Sequence, residues 1–482
     1  MPRLVVPVCA LVLAFAAPAR ADKDAAVKSA AAHAAAHWPT ALRIWEWAEP
    51  GYQEAKSAKA LADIAEKAGF KVTRGVAGIP TAFVAEFGTG GPVIGILGEY
   101  DALPELAQTT DPVRTIRPGG NGYGHACGHH VFGVGSLAAA LAIADEIRAG
   151  RVRGTVRFYG CPAEEGGGAK AFMARAGLFN DVAVCLHWHP GSRNTAGDAT
   201  CLARIAVKFR FHGTPAHAAG SPEKGRSALD ALLLTMHGVE LLREHTPDGT
   251  RLHHTITSGG GAANVVPEFA EGFFYVRHPK AEVVQKLYPR LVKCAQGGAL
   301  ATETKLEIAY LGGTIEMLPN QTLARVAKTN LTALNDLKYD AAETKFALRL
   351  QETFETKVPL DDIRTVSDVS GKSMGGSTDV GDVSWVVPTV GFTTACWVPG
   401  TPGHSWQAVA CGGTTIAKQG MTLAAKTLAA TACDLFADPK LVAAAKEEHA
   451  RSLAGRPYTP LMEKDQRPPL DYRDPPRRRG AD

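Results

Sequence analysis

The chain has 482 residues, of which 45% are hydrophobic and 21% charged. This composition is ordinary for a globular protein, and the length is sufficient for two or three domains. The formal net charge is only +4, and part of it lies in Arg477, Arg478 and Arg479 near the end of the chain. So small a charge gives no support to nucleic-acid binding, and we expect no nucleic-acid partner.

The first residues have the pattern of a secretion signal. Arg3 supplies a positive charge, Leu4 through Ala17 form an apolar stretch, and Ala19-Arg20-Ala21 is a small-x-small cleavage site. The apolar stretch is short for a membrane span, and no later stretch of about twenty apolar residues follows. We therefore expect residues 1–21 to be removed, the protein to be exported to the periplasm or secreted, and no membrane span to remain.

The next part of the chain predicts an α/β domain. A helical pattern runs from Ala25 to about Gly69, and strands then alternate with helices. The predicted strands are 82–87, 93–97, 154–159 and 182–188, and the predicted helices are 133–149 and 169–176. Alternation of this kind favours a largely parallel sheet. Residues 22–199 are therefore predicted to form the first part of an α/β domain.

From about residue 200 the order of predicted elements changes. The strands are 201–211, 253–256, 271–277 and 305–310, and the helices are 227–244 and 281–295. The order strand-helix-strand-strand-helix-strand is that of a ferredoxin-like α+β domain. Because α/β character resumes with a helix at 321–337, residues 200–313 are predicted to be inserted in a domain that continues over 314–450. Residues 451–482 lack periodicity and are predicted to be disordered or to wrap the surface.

Residues that can bind a metal ion follow the predicted strands. The segments are GEYDALP at 98–104, GHACGHH at 124–130, CPAEEGGG at 161–168, LHWHP at 186–190 and PGHSW at 402–406. Ligands commonly gather at the carboxyl ends of strands in α/β sheets, and thiolate and imidazole groups suit borderline-soft cations. Each segment alone has an ordinary explanation, such as a buried Cys127 or a hydrogen-bonded surface His404. Together, they are explained more simply by a dinuclear metal site.

Seven motifs carry a resemblance to a known family. In chain order they are GEYDALPE, GHACGHH, PAEEGGG, GRSALDA, GGGAANVVP, GSTDVGDVSW and GHSWQ. The chain resembles the metal-dependent aminoacylases and carboxypeptidases, which include aminobenzoyl-glutamate hydrolase and the plant auxin-conjugate amidohydrolases, and most of all the B-subunit type of aminobenzoyl-glutamate hydrolase. The resemblance implies a zinc-peptidase-like catalytic domain with a mainly parallel sheet, and an inserted ferredoxin-like lid or dimerisation domain.

The resemblance also implies the metal site. It assigns two divalent cations per subunit, manganese or zinc, to the ligands Cys127, His129, Glu165, His189 and His404. Glu164 would be the general base, and Asp101 would orient a ligand, first of all His129. His187 is the alternative to His189, which we prefer because ungapped spacing from Glu165 lands on it. His130 could be a further ligand or could support one.

The inserted domain is implied to supply further site residues. His217, in the segment GTPAHA, would hydrogen-bond the developing oxyanion, often in the site of a neighbouring subunit. Asn264 and Arg277 would bind substrate, and an arginine can grip a carboxylate through two parallel hydrogen bonds. The alternative for Arg277 is a surface charge at a strand edge. We expect a homodimer, or a pair with a homologous partner.

These observations predict a metal-dependent amidohydrolase acting on N-acyl amino acids. Aminobenzoyl-glutamate-like substrates are the first choice, and a broader N-acyl-amino-acid or dipeptide hydrolase is the second. The cations would make the attacking water more acidic, and Glu164 would accept its proton and return it to the leaving amine. A catalytically silent periplasmic peptide-binding protein is disfavoured by the intact Glu164 and ligand set. An enzyme with Cys127 as nucleophile is disfavoured because no separate Cys-His-Asn arrangement is evident.

Overall fold

The computed structural model describes residues 22–474, so the predicted secretion signal and Arg477–Arg479 lie outside the described residues. The elements of the N-terminal part are α1 (Lys23–Trp47), α2 (Ala55–Lys67), β1 (Lys71–Arg74), β2 (Phe83–Thr89), β3 (Val93–Glu99), α3 (His129–Arg148), β4 (Gly154–Cys161), α4 (Ala169–Arg175), β5 (Val184–Leu186), β6 (His189–Gly191) and β7 (Asn194–Ala196). The predicted helical region 25–69 is two helices, because the chain leaves the first one through a left-handed conformation at Ala48 (φ 41°).

The inserted segment forms a sheet with two helices. Its elements are β8 (Ala203–His212), α5 (Ala228–Arg243), β9 (Arg251–Ser258), β10 (Phe269–His278), α6 (Ala281–Ala301) and β11 (Lys305–Thr314). The strand order is β11-β8-β10-β9, and each neighbouring pair is antiparallel. The helices pack against each other and the sheet over a core of its own. This is the predicted ferredoxin-like arrangement.

The chain then returns to the first domain. The remaining elements are α7 (Gln321–Leu334), α8 (Ala341–Gln351), β12 (Val366–Asp368), α9 (Val380–Ser384), β13 (Thr389–Val390), β14 (Phe392–Ala395), α10 (Trp406–Gly412), α11 (Thr415–Ala437) and α12 (Pro439–Leu453). The main sheet has the order β1-β2-β4-β3-β5-β13, in which β4, β3, β5 and β13 run parallel. A smaller sheet has the order β12-β7-β14-β6. The predicted strand 182–188 ends early, because the chain passes from the main sheet to the smaller one before His189.

Helix α3 is the centre of the catalytic-domain core. It packs against β3 and against α1 and α11, and it is buried along nearly its whole length. Alanines line these contacts, and small side chains allow helix axes to approach closely. Among the described residues, α3 is also the one helix long and apolar enough to cross a membrane, but 89% of its apolar window is buried inside the protein. It is therefore a core helix. It begins at His129, which lies near the carboxyl ends of the parallel strands.

Residues 456–474, which we call the C-terminal strap, pack against both domains. Of the two alternatives predicted for residues 451–482, wrapping of the surface describes this segment and disorder does not. Leu461 is 3% exposed within the core of the inserted domain, and Tyr472 is 5% exposed within a core of the catalytic domain. Tyr310 donates a hydrogen bond to the Leu461 carbonyl (2.8 Å), and Arg175 donates one to the Gln466 carbonyl (2.6 Å). The sequence of the strap shows no hydrophobic periodicity because its apolar residues are isolated, and each packs against a different part of the protein.

Candidate metal centre

The candidate ligands lie at element ends on one side of the main sheet. His129 is the first residue of α3 and Cys127 lies just before it, while Glu165 follows β4 and His189 opens β6. Between Cys127 and His129 the backbone turns at Gly128, which has φ 76°. A side chain at Gly128 would also come within 2.7 Å of Pro190, the neighbour of His189. Glycine thus allows two ligand segments to pack closely.

The ligand atoms form two trios that share one thiol. The atoms of Cys127, His129 and His189 lie within 4.8 Å of one another, and so do those of Cys127, Glu165 and His404. Cys127 Sγ is 3.3 Å from His189 Nε2, and His404 Nε2 is 3.1 Å from Glu165 Oε1. Two trios sharing a thiolate, with imidazole and carboxylate groups, suit a pair of divalent metal cations.

The burial, hydrogen bonding and ionisation of these groups are suited to binding a cation. His129 Nε2 and Glu165 Oε1 are buried and make no aligned hydrogen bond with the described residues, although each lies 3.1 Å from another polar site atom. An unsatisfied buried polar atom is costly, and a bound cation would satisfy both atoms. Burial opposes ionisation of Cys127, but the charges of His189 and His129 outweigh it and lower the pKa of the thiol to about 5. A thiolate is the form that binds metal.

Asp101 holds two of the ligand segments. Its Oδ1 accepts a hydrogen bond from His129 Nδ1 (2.8 Å), and its Oδ2 accepts one from the backbone N–H of Glu165 (2.9 Å). His189 Nδ1 donates in the same manner to the Pro190 carbonyl (2.7 Å). Both Nδ1 atoms are thereby engaged, so that Nε2 is the ring nitrogen available to the ligand cluster, a pattern common among metal-binding histidines.

Two of the other histidines of these motifs, His187 and His130, do not face the cluster. The His187 ring packs against Gly391, where an added Cβ would come within 2.2 Å of it, and burial lowers the pKa of His187 to about 3. His130 Nε2 donates a hydrogen bond to the Gly412 carbonyl (2.9 Å), and burial lowers its pKa to about 4. Both are buried neutral groups, which favours His189 over His187 and leaves His130 a packing role.

Three buried charged residues beside the ligands were not identified from the sequence. Lys170 Nζ lies 2.6 Å from Glu99 Oε1 and 2.6 Å from Asp379 Oδ1, and all three side chains are almost completely buried. Glu99 Oε2 lies 3.1 Å from His129 Nε2. Glu99 and Asp379 fall within the motifs GEYDALPE and GSTDVGDVSW, which is the only signal that the sequence offers.

Glu164 lies beside the ligands but outside the two trios that share Cys127. Its carboxylate approaches Glu99 and His129 within 4.8 Å. Burial, followed by the charges of Glu99 and Glu165, raises the pKa of Glu164 well above its usual range. Cations in the neighbouring trios would oppose this shift. A carboxyl group in this position can accept and return a proton next to a bound substrate.

The candidate residues of the inserted domain are divided between two places. The guanidinium of Arg277 stacks on Tyr275, 5.2 Å from the ring centre. Burial and the charge of Arg204 lower the pKa of Arg277, while the charges of Glu164 and Glu165 oppose this shift. His217 and Asn264 are exposed, on adjacent loop segments joined by a hydrogen bond from Ala218 N to Asn264 O (3.0 Å). Within the described chain neither side chain joins the ligand cluster.

Comparison with known sequences identifies relatives along most of the chain. The model of peptidase family M20/M25/M40 matches residues 95–255. The B-subunit of the p-aminobenzoyl-glutamate hydrolase of Escherichia coli K12 is 40% identical over 445 residues, which cover 86% of this chain and 92% of the relative. The Xaa-Arg dipeptidase of Mus musculus is 30% identical, covering 77% and 78%. The A-subunit of the same Escherichia coli hydrolase is 28% identical, covering 50% and 57%.

Solved structures share the fold. An aminobenzoyl-glutamate utilization protein from Klebsiella pneumoniae has a TM-score of 0.59 at 18% identity, covering 86% of this chain and 98% of the other. A dinuclear metal-binding peptidase of the M20 family from Bacillus subtilis has a TM-score of 0.54 at 20% identity, covering 84% and 99%. At these identities the likeness establishes the fold alone.

The two histidines of LHWHP give a matched pair of variants. We expect His189→Ala to lose at least one bound cation per chain, because a trio would keep only Cys127 and His129. His187→Ala should keep the wild-type metal content, because its ring packs against Gly391 away from the trios. Metal per chain can be measured by plasma mass spectrometry after dialysis, which also identifies manganese or zinc. The opposite pattern would exchange the roles of the two histidines.

Proposed function

Since the chain belongs to peptidase family M20/M25/M40 and is a metal-dependent amidohydrolase, we propose that it cleaves the amide bond of N-acyl amino acids and that an aminobenzoyl-glutamate-like amide is its substrate. The observation that carries this proposal is the pair of ligand trios sharing Cys127 with Glu164 beside them. The 40% identity to a relative named for p-aminobenzoyl-glutamate supports the acyl and amino-acid sides of the substrate. A broader dipeptidase activity is the second candidate, because a 30% identical relative is an Xaa-Arg dipeptidase.

The residues around the trios have separate tasks in this reaction. Two divalent cations, manganese or zinc, would be held by Cys127, His129, Glu165, His189 and His404, and they would supply Lewis acidity toward the amide carbonyl and the attacking water. Glu164 takes the proton from the water and delivers it to the amine nitrogen as the C–N bond breaks. Asp101 keeps His129 and the Glu165 backbone in place. Arg277 binds the α-carboxylate of the amino acid.

Two other mechanisms are less consistent with this arrangement. In a silent peptide-binding protein, neither a base at Glu164 nor a complete ligand set would be needed. A Cys127 nucleophile would use the 3.3 Å contact with His189, but Cys127 Sγ also lies in the trio with Glu165 and His404. Removal of metal by a chelator separates these cases, since it stops a metal-dependent reaction and spares a thiol-dependent one.

The first functional test concerns Glu164. We expect Glu164→Gln to keep both cations and to lower kcat by roughly 10²- to 10⁴-fold, because the amide side chain cannot accept the proton. The neighbouring Glu165→Gln is the matched variant, and it should lose metal as well as activity. Turnover of p-aminobenzoyl-glutamate and metal content would be measured on the same samples. Near-normal turnover of Glu164→Gln would remove Glu164 from the mechanism.

We also propose that the inserted domain forms a homodimer and that His217 and Asn264 reach the partner's site. Large exposed apolar side chains lie on α5, β9 and the Asn264 loop, namely Leu233, Leu234, Leu241, Ile256 and Val265. Strand β9 is a free edge of its sheet among the described residues. Exposed apolar patches and open strand edges favour association. A homologous partner chain is the alternative, because the relatives include two different subunits of one hydrolase.

Mixing two inactive variants tests this arrangement. A heterodimer of Glu164→Gln and His217→Ala chains has one site with both an intact Glu164 and a partner's His217. After random subunit exchange, about a quarter of all sites should therefore be complete, and activity should return to that order. Each variant incubated alone is the control. If exchange is demonstrated with tagged chains and no activity returns, His217 acts in its own chain or outside the site.

We propose, finally, that the protein is exported. The support is the pattern of residues 1–21, with its charged start, apolar stretch and cleavage site before Asp22. Protein recovered from the periplasm or medium should begin at Asp22 when its N-terminus is sequenced, and a chain lacking residues 2–21 should stay inside the cell. Recovery of intact Met1 from the cytoplasm alone would contradict export.

A further inference from the structure

Two arginines lie side by side on the sheet of the inserted domain. Arg204 on β8 and Arg277 on β10 are register partners across the antiparallel pair. Both guanidinium groups lie over the ring of Tyr275, at 4.9 Å and 5.2 Å from its centre. Directly opposed residues on one sheet face are near neighbours, and like charges there repel. The fold therefore concentrates positive charge at this point.

No carboxylate of the described chain pairs with these arginines. Arg204 is 7% exposed, and its Nε and that of Arg277 are buried without a hydrogen-bond partner among residues 22–474. Two other basic residues of β8 do have a carboxylate partner, because Lys208 and Arg210 both form ion pairs with Glu271. Leaving a charge buried and unpaired is strongly unfavourable. An anion from outside the described chain would supply the hydrogen-bond acceptors that these two Nε atoms lack.

The C-terminal strap brings a third arginine to the same place. Arg473 donates a hydrogen bond from a terminal guanidinium nitrogen to the Glu165 carbonyl (2.5 Å), and the Tyr472 hydroxyl donates to the same oxygen (3.2 Å). Arg473 Nε is also buried, and it has no hydrogen-bond partner among the described residues. Lys208 donates to the Tyr472 carbonyl (3.1 Å), which fixes the strap to the inserted sheet.

Tyr275 connects the arginines to the metal-ligand loop. A Cβ on Gly166, the residue after Glu165, would lie 3.2 Å from the Tyr275 hydroxyl and 3.1 Å from the Tyr472 ring. The sheet face with Arg204 and Arg277 and the strap with Arg473 thus meet at the backbone that follows the ligand Glu165. An anion bound among the three arginines would lie beside the metal centre.

We propose that Arg204 and Arg473 bind the side-chain carboxylate of an acidic amino acid, next to its α-carboxylate on Arg277. The inference rests on the proposed function and names the class of leaving group, a dicarboxylic amino acid such as glutamate, which is released from its N-acyl derivative. A single arginine can hold the α-carboxylate through two parallel hydrogen bonds, and the two remaining guanidinium groups can share the side-chain carboxylate, so three arginines provide donors for a substrate with two carboxylates. The same groups repel a cationic side chain, which disfavours a substrate ending in arginine.

The test compares two nearly isosteric substrates in the full-length metal-loaded enzyme. The wild type should cleave N-(p-aminobenzoyl)-glutamate with a kcat/KM at least ~10-fold above that for the glutamine analogue, because hydrogen bonds to a charged group are lost. Arg473→Gln should remove most of this difference, because it should lower the glutamate value by a much larger factor than the glutamine value. Arg467→Gln, a change at an exposed arginine of the same strap, should alter neither value.

Comparing the two substrates also distinguishes a loss of side-chain binding from general damage to the fold. If Arg473→Gln lowered kcat/KM equally for both substrates, Arg473 would stabilise the Glu165 segment and would not bind the substrate's side-chain carboxylate. That result would overturn the inference. Calorimetry with free glutamate and glutamine gives an independent readout, in which Arg204→Gln should weaken only glutamate binding. Preferred glutamate binding without cleavage of any N-acyl amino acid would overturn the proposed function alone. Cleavage of both substrates at equal rates would overturn the arginine site alone.

Discussion

Both oxygens of Asp101 are engaged by segments that carry metal ligands, His129 at the start of α3 and the Glu165 backbone after β4. This is possible because β3 and β4 are parallel neighbours in register, with Glu99 beside Cys161, so that their carboxyl ends open at the same edge. A strand shifted by one residue would turn Asp101 to the other face of the sheet. The positions of two ligands therefore depend on the register of one central strand pair.

Charge balance explains why a lysine is buried next to a metal centre. Burial favours the neutral form of Lys170. The negative charges of Asp379 and Glu99 outweigh this effect and raise the pKa of Lys170 well above its usual range. One ammonium between two carboxylates leaves one negative charge in excess, close to His129. A negative surplus in a poorly solvated place favours bound cations. The network also joins β3, α4 and the start of α9, so the same contacts that set the charge fix the elements around the site.

The sequence predicted the elements well because they follow local periodicity, and it located the candidate ligands because cysteine, histidine and adjacent glutamates are conspicuous after strands. It could not identify the Lys170–Asp379 pair, whose members are 209 residues apart and meet only after folding. Strand periodicity did not distinguish His187 from His189, and the preference for His189 came from its spacing to Glu165. Residues two apart on a straight strand share a face, but here the chain changes sheet between them. For the strap the sequence left disorder and wrapping of the surface as alternatives, because isolated apolar residues such as Leu461 have no periodic partners.

The strap has a further consequence for movement of the inserted domain. On one side it is held by that domain, through Tyr310 and Lys208, and on the other by the catalytic domain, through Arg175 and the Glu165 carbonyl. Independent rotation of the two domains would break one of these sets of hydrogen bonds and expose Leu461 or Tyr472. Small adjustments about the strap conserve both sets. Arg204 and Arg277 both belong to the inserted sheet, whereas Arg473 belongs to the strap, so an anion bound among the three arginines would contact the inserted domain and the element that joins it to the catalytic domain.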